Sequence, residues 1–235
     1  MRFIVEEPFR AHFPDALIGV VIAHEIDNRR NGDLAQSDLA SAAAMAAASL
    51  GDGELATHPV VAPWRDAYRR FGVKPSRYRS SIEGLLRTVR AESVRSVNPL
   101  VDLYNTVSLR HLLPCGGEDL AAIQGDLRLT VAKGGEPFVP LGATENLPPA
   151  AGEAVYADDA GIVCRAWNWR EADRTKLTGE TTRAVLVIEA LPPRTADELH
   201  IACNDLATLA RERLGATSKV VLLGSNGVFE TALDA

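Results

Sequence analysis

The chain has 235 residues, of which 46% are hydrophobic and 24% charged, so it can bury a sizeable core. Its net charge of −6 argues against a surface that attracts DNA, RNA or anionic membranes everywhere, and RNA binding would need a local basic patch. Three widely spaced cysteines and scattered histidines argue against a disulfide framework or a metal site. No apolar run approaches roughly 18 residues. We therefore expect a cytoplasmic protein without a membrane span, a metal or a cofactor.

The first part of the chain mixes short strands with helices. Strands are predicted by the β-branched runs at 3–5 and 17–24. Helices are predicted over 37–50, 63–72 and 80–92. Ser37 is the expected N-cap of the alanine-rich first helix, and Gly51 its stop. The next two helices carry many arginines, for which a solvated face is the ordinary explanation and RNA contact the alternative.

The second part of the chain begins with the clearest helix signal, over 98–114, where Asn98 is the expected cap and Pro99 the first helical residue. Short strands are then predicted over 126–133, 153–157, 161–169, 183–190 and 218–224. Before the last of them, a helix over 195–215 opens with a capping box from Thr195 to Glu198. The segment "GSNG" at 224–227 predicts a turn. Together these elements predict one α+β domain over residues 1–235.

The stretch "CRAWNWREADRTKLTGET" at 164–181 holds two of the three tryptophans beside a dense run of mixed charge. If the strand continues to 169, alternation places Arg165, Trp167 and Trp169 on one face and Asn168 on the other. A guanidinium stacks favourably on indole rings. The pattern fits either the wall of a polar pocket or an arginine lying over an aromatic surface patch.

The strand "TRAVLVIEA" is apolar on both faces, which predicts that it is covered on both sides. Glu189 ends one of these faces, and a buried carboxylate is costly unless it is paired or hydrogen-bonded. Glu189 is therefore either a functional group or the point where the strand emerges into solvent.

The segment "PCGGED" at 114–119 places two glycines beside two acids after a helix. We expect a helix-stop loop, although two glycines would also let backbone N–H groups approach a ligand. Cys115 is not expected to be a nucleophile, because no neighbouring group that would lower its pKa can be identified.

Three segments carry a resemblance to a known family. They are "LVDLYNTVSLRHLLPCGGEDL", "DLRLTVAKGGEPFVPLGATE" and "GEAVYADDAGIVCRAWNWREADRTKLTGETTRAVLVIEA". This region, about 98–193, resembles the B3/B4 domain of the phenylalanyl-tRNA synthetase beta subunit, and the whole chain resembles free-standing proteins built around that domain. The resemblance implies a β-sandwich-like sheet core flanked by helices. Residues 1–97 would form an N-terminal α/β portion that is largely helical, and residues 194–235 a C-terminal helix and strand.

In the synthetase this domain hydrolyses the ester bond of tyrosine that has been wrongly attached to the tRNA for phenylalanine. The resemblance places Glu189 at the family's editing glutamate, whereas Gly116 stands where the family has its editing histidine. The implied catalytic residue is Glu189. Arg165 or Arg174 would contact oxygen atoms of the substrate, and Asp173 would hold Arg174 in place. The implied substrate-binding residues are Tyr104, Asn105, Gly116, Gly117, Glu118, Arg165, Trp167, Asn168, Trp169, Asp173 and Arg174.

Two main functions follow from this resemblance. The first is an aminoacyl-ester hydrolase that acts in trans on mischarged tRNA with a positioned water and no covalent nucleophile. The second is a non-catalytic module that binds an amino acid or tRNA, which the missing histidine favours. A hydrolase or transferase of a small metabolite is a third possibility. The expected partners are tRNA or aminoacyl-tRNA and an amino acid.

Overall fold

The computed structural model describes residues 1–224 and 227–234. The helices are α1 (Glu7–His12), α2 (Gly32–Ser49), α3 (Ala62–Arg70), α4 (Ser81–Arg90), α5 (Pro99–His111) and α6 (Ala196–Leu214). The strands are β1 (Arg2–Val5), β2 (Leu17–His24), β3 (Cys115–Asp119), β4 (Leu127–Val131), β5 (Ala154–Asp158), β6 (Gly161–Arg165), β7 (Arg170–Glu171), β8 (Ala184–Ala190), β9 (Thr217–Leu223) and β10 (Glu230–Ala232). This mixture of helices and two sheets confirms the α+β class.

One sheet has six strands in the order β10-β1-β4-β5-β6-β7, and the other has four in the order β3-β8-β2-β9. All pairs are antiparallel except β1 with β4. The two central strands of the four-stranded sheet, β8 and β2, are buried on both faces, as the apolar run of β8 predicts. Leu186 and Ile188 face a core shared with α5 and α6, whereas Val185 and Val187 face a core shared with the six-stranded sheet.

Most predicted helix ends are confirmed by their caps. The side chain of Asn98 accepts a hydrogen bond from the N–H of Val101, and Thr195 and Glu198 form the capping box of α6. Helix α2, however, begins at Gly32, so Ser37 lies inside it. The cap is Asn31, whose side-chain nitrogen donates to the carbonyl of Arg213 at 2.8 Å, a tertiary contact that the local sequence does not reveal.

Two further expectations are wrong. Residues 115–119 form strand β3 and not a helix-stop loop, because each of these residues pairs with a residue of β8. The strand predicted over 161–169 ends at Arg165, where the chain turns sharply into β7. The turn predicted over 224–227 lies partly outside the described residues, and β10, which pairs with β1, was not predicted.

Candidate functional site

A cavity of about 210 Å³ lies between the two sheets and is open at one side to solvent. Sites for drug-sized ligands occupy roughly 300–1,000 Å³, so this cavity suits a smaller molecule. Nine of the twelve site residues expected from the sequence line it, namely Tyr104, Asn105, Gly116, Gly117, Glu118, Trp167, Asn168, Trp169 and Glu189. The cavity therefore brings together parts of α5, β3, β8 and the turn after β6.

Glu189 lies on the floor of the cavity and is only 3% exposed, so the strand has not emerged into solvent at this point. Its two carboxyl oxygens accept one hydrogen bond each, from the Tyr156 hydroxyl at 2.6 Å and from the Asn168 side-chain nitrogen at 2.6 Å. Burial raises the pKa of Glu189 to about 7, although both donors oppose this rise. Near neutral pH this carboxyl can both accept and release a proton.

Asn168 is itself held in place by a second layer of polar contacts. The hydroxyl of Tyr68, a buried residue of α3, donates to the Asn168 side-chain oxygen at 2.9 Å. This bond fixes the amide so that its nitrogen points at Glu189. The N-terminal helices therefore contribute to the geometry of the site, although none of their predicted features indicated such a role.

The turn that joins β6 to β7 decides which side chains reach the cavity. Ala166 and Trp167 both have left-handed backbone conformations, with φ of 48° and 62°, which are unfavourable for residues other than glycine. Two hydrogen bonds stabilise them: the N–H of Ala166 donates to the Glu153 carboxylate at 2.9 Å, and the N–H of Trp167 donates to the carbonyl of Ala154 at 2.6 Å. Strand alternation therefore fails beyond Arg165, and Trp167 and Asn168 both face inward.

The indole of Trp167 is fully buried in an aromatic cluster, with ring centroids of Phe9, Phe13 and Trp64 at 4.8, 4.8 and 5.0 Å. Its N–H lies near Glu189 and lowers the pKa of that carboxyl, yet no described residue accepts it in hydrogen-bond geometry. A buried donor without a partner is uncommon and costs free energy. Trp167 thus supplies an unused N–H at the wall of the cavity.

Glu171, on β7, reaches the cavity from the side opposite Gly116. A Cβ at position 116 would lie 3.1 Å from the Glu171 carboxyl oxygen, so the glycine leaves the space that this carboxyl occupies. The only hydrogen bond that Glu171 accepts within the described residues is a long one, 3.4 Å, from the N–H of Gly117. Burial raises the pKa of Glu171 to about 7.

A third carboxyl, that of Glu118, is also buried and lines the same cavity. Its pKa is raised well above the ordinary value, first by burial and then by the nearby charge of Glu171. One of its oxygens has no hydrogen-bond partner in the part of the chain that the structure describes. The thiols of Cys115 and Cys164 also line the cavity, and burial raises both of their pKa values, so neither is an activated nucleophile.

Arg165, Asp173 and Arg174 are not brought to the cavity. Arg165 forms a buried double hydrogen bond with Glu153, at 2.7 and 3.1 Å, and also stabilises the turn. Arg174 binds Asp158 at the hairpin between β5 and β6, whereas Asp173 pairs with Lys176, so Asp173 does not hold Arg174. The charged run after β7 therefore serves the scaffold.

Several lining residues were not among those expected from the sequence, chiefly Tyr156, Glu171, Cys115 and Cys164. Tyr156 lies 33 residues before Glu189 and meets it across the two sheets, which no local pattern indicates. Glu171 pairs directly with Cys164, so recognition of the tight turn would have placed it opposite that strand.

Within residues 1–224 and 227–234, no group of three His, Cys, Asp or Glu side chains is arranged to hold a metal ion. Among the same residues, no helix is both long enough and apolar enough to cross a lipid bilayer.

The B3/4 domain family model matches residues 63–214, which include all the residues that line the cavity. Because this match covers more than half of the chain, the protein belongs to the B3/4 domain family. Among solved structures, it is similar to an N-terminal fragment of the phenylalanyl-tRNA synthetase beta-subunit from Pyrococcus horikoshii, at 11% identity and a TM-score of 0.48. The match covers 94% of this chain and 53% of that one, so the chain spans about half of the fragment's length. No curated protein sequence matches.

Proposed function

We propose that this protein hydrolyses the ester bond of mischarged aminoacyl-tRNA, acting in trans. The observation that carries the proposal is Glu189, a buried carboxyl with a pKa of about 7 on the floor of a cavity of amino-acid size. A general base works best when its pKa lies near the working pH. Membership of the B3/4 family and the resemblance of Glu189 to the editing glutamate of the synthetase support the same assignment.

The reaction needs no covalent nucleophile, because an aminoacyl ester is already activated. In the proposed step, the ionised Glu189 accepts a proton from a water molecule while the water oxygen bonds to the ester carbonyl carbon. The bond from that carbon to the ribose oxygen then breaks, and Glu189 returns the proton to the ribose oxygen. The free N–H of Trp167 is the candidate donor to the carbonyl oxygen as negative charge develops there.

The first experiment measures the release of amino acid from a panel of correctly charged and mischarged tRNAs. We expect release from at least one mischarged tRNA and a loss of roughly a hundredfold or more in Glu189→Gln. Because the base must be ionised, the rate should rise with pH through about 7 and then level off. Glu145→Gln, the same change at an exposed glutamate outside the cavity, is the matched control. The absence of release across the whole panel would contradict the proposal.

A non-catalytic binding module is the second candidate, favoured by the hydrogen bonds that already occupy both oxygens of Glu189. In that case, calorimetry would show saturable binding of an amino acid or aminoacyl-tRNA, with no turnover in the same preparation. Free amino-acid esters form a separate arm of the experiment. A protein that cleaves them as efficiently as aminoacyl-tRNA would be a small-molecule hydrolase.

A further inference from the structure

The floor of the cavity carries carboxyl groups at both ends. Glu118 lies opposite Val185 and Gly116 opposite Val187 in the antiparallel pairing of β3 with β8. Opposed residues share a face of the sheet, as do alternate residues along a strand, so all these positions face the cavity together with Glu189. Glu189 lies four positions after Val185, so the backbone positions of Glu118 and Glu189 are about 13 Å apart along the strand direction at about 3.3 Å per residue.

Glu171 fills the middle of this row. Its carboxyl lies over Gly116, which is one alternation, or about 7 Å, along the floor from Glu189. The charge of Glu171 also raises the pKa of Glu118, so the two carboxyls are close enough for electrostatic interaction. The cavity therefore has two acidic centres: Glu189 at one end, and Glu171 with Glu118 towards the other.

The two centres differ in how well they are satisfied. Glu189 has a donor for each oxygen, whereas Glu118 is 6% exposed and has an oxygen without a partner, and Glu171 accepts one long hydrogen bond. None of the three carboxyls forms an ion pair within the described part of the chain. Arg174 and Thr175 lower the pKa of Glu118 without overcoming its burial. Arg170 lines the cavity and Arg174 acts on Glu118 from outside it, but neither forms an ion pair with the second centre among the described residues, and a buried carboxyl without such a partner is costly.

We infer that the cavity selects an amino acid with two ammonium groups, one on the α-carbon and one at the end of a flexible aliphatic side chain, as in lysine or ornithine. The α-ammonium and ester group lie at Glu189, and the side-chain ammonium lies between Glu171 and Glu118. Leu127, Leu141 and Val187 provide apolar surface for the methylene groups. The distance of about 7 Å between the centres matches a side chain of three or four methylenes.

This inference rests on the proposed function only for the ester; the recognition of the amino acid can be tested separately. The test is calorimetric titration at pH 8 with L-lysinamide and with L-norleucinamide. The two amides have the same side-chain carbons, but norleucinamide lacks the terminal ammonium group. We expect lysinamide to bind at least about tenfold more tightly, because the polar centre is left unmatched by the other ligand. Glu171→Gln and Glu118→Gln should each reduce this preference to within about threefold, while the preference shown by Glu145→Gln remains unchanged.

Equal affinity for the two amides, or a preference that survives in both glutamine variants, would overturn the inference. Neither variant removes an ion pair, and the only hydrogen bond affected within the described residues is the long one from Gly117 to Glu171, so melting curves should show that both variants fold. The ester assay separates this inference from the proposed function. Selective binding of lysinamide without hydrolysis of any aminoacyl-tRNA would leave the inference standing and refute the function. Hydrolysis restricted to neutral aminoacyl groups, with no preference for lysinamide, would do the reverse.

Discussion

Glu171 shows how a single side chain can make the site costly to fold. The ordinary pKa of a glutamate is 4.5, and burial raises that of Glu171 to about 7 in the folded protein. Between these values the folded state binds more protons than the unfolded state, so the free energy of unfolding decreases as pH rises from about 4.5 to about 7 and remains low above that. The cost is fully present at pH 8 and absent below about pH 4.5.

We therefore expect Glu171→Gln, which cannot ionise, to be more stable than the wild type at pH 8. The gain should be smaller than about 3 kcal/mol, because part of the residue is exposed and solvent screens its charge. The difference should disappear near pH 4.5. Urea unfolding at the two pH values measures it, with Glu145→Gln as the control that changes neither. A glutamine variant less stable than the wild type at pH 8 would mean that the Glu171 carboxylate is stabilising and not costly.

Residue-scale inference from the sequence succeeds where one element contains the whole signal. The alternation of "VLVIE" places Glu189 on the same face as Val185 and Val187, because strand β8 is regular along its length, but it left open whether that face is still buried at Glu189. Tyr156 and Tyr68, which hold Glu189 and Asn168, lie on other elements. Their contribution depends on how β5 and α3 pack against β8, and this packing has no local signature.

At the scale of elements, the turn between β6 and β7 is stabilised by the buried pair of Arg165 and Glu153. Removing one member of such a pair leaves a buried charge without compensation. We expect Arg165→Met to lower the free energy of unfolding by about 3–5 kcal/mol. Lys176→Met is the control, because its pair with Asp173 is partly exposed to solvent and should contribute less than about 1 kcal/mol. Similar losses in the two variants, measured by urea unfolding, would show that the Arg165–Glu153 pair has no special role.

The same turn shows why some elements could not be predicted. A tight turn is normally indicated by glycine, asparagine or aspartate at positions with positive φ, and here alanine and tryptophan occupy them. Packing of Trp167 against three aromatic rings and the hydrogen bonds of two backbone N–H groups offset the strain. Helices α5 and α6 were predictable because their caps are local, whereas β3 exists only because β8 provides its partner.

At the scale of the whole molecule, charge is distributed unevenly. Residues 63–95 contain nine basic and three acidic side chains, although the chain as a whole has a net charge of −6. This basic segment includes α3 and α4, and it reaches the cavity through Ser81 and through Tyr78, whose ring packs against Trp169 at 4.6 Å. A tRNA whose aminoacyl end enters the cavity would therefore have basic surface beside it.

We expect the double variant Lys74→Glu, Arg77→Glu, at two exposed positions of this segment, to bind tRNA at least about tenfold more weakly and with a smaller dependence on salt. Filter binding at several salt concentrations measures both effects. The matched control is Arg211→Glu, Lys219→Glu, which makes the same change in charge on α6 and β9. Equal weakening in the two double variants would indicate a general effect of net charge and no local surface.

Gly116 and Glu171 share one small volume, and this has a consequence for how the protein can change. A methyl group at position 116 would lie 3.1 Å from the Glu171 carboxyl oxygen, so that carboxyl would have to shift by a few tenths of an ångström. A substitution at either position therefore alters the effect of a substitution at the other. A change of specificity at this site would therefore involve the two positions as a pair, because a smaller side chain at position 171 makes room for a larger one at position 116.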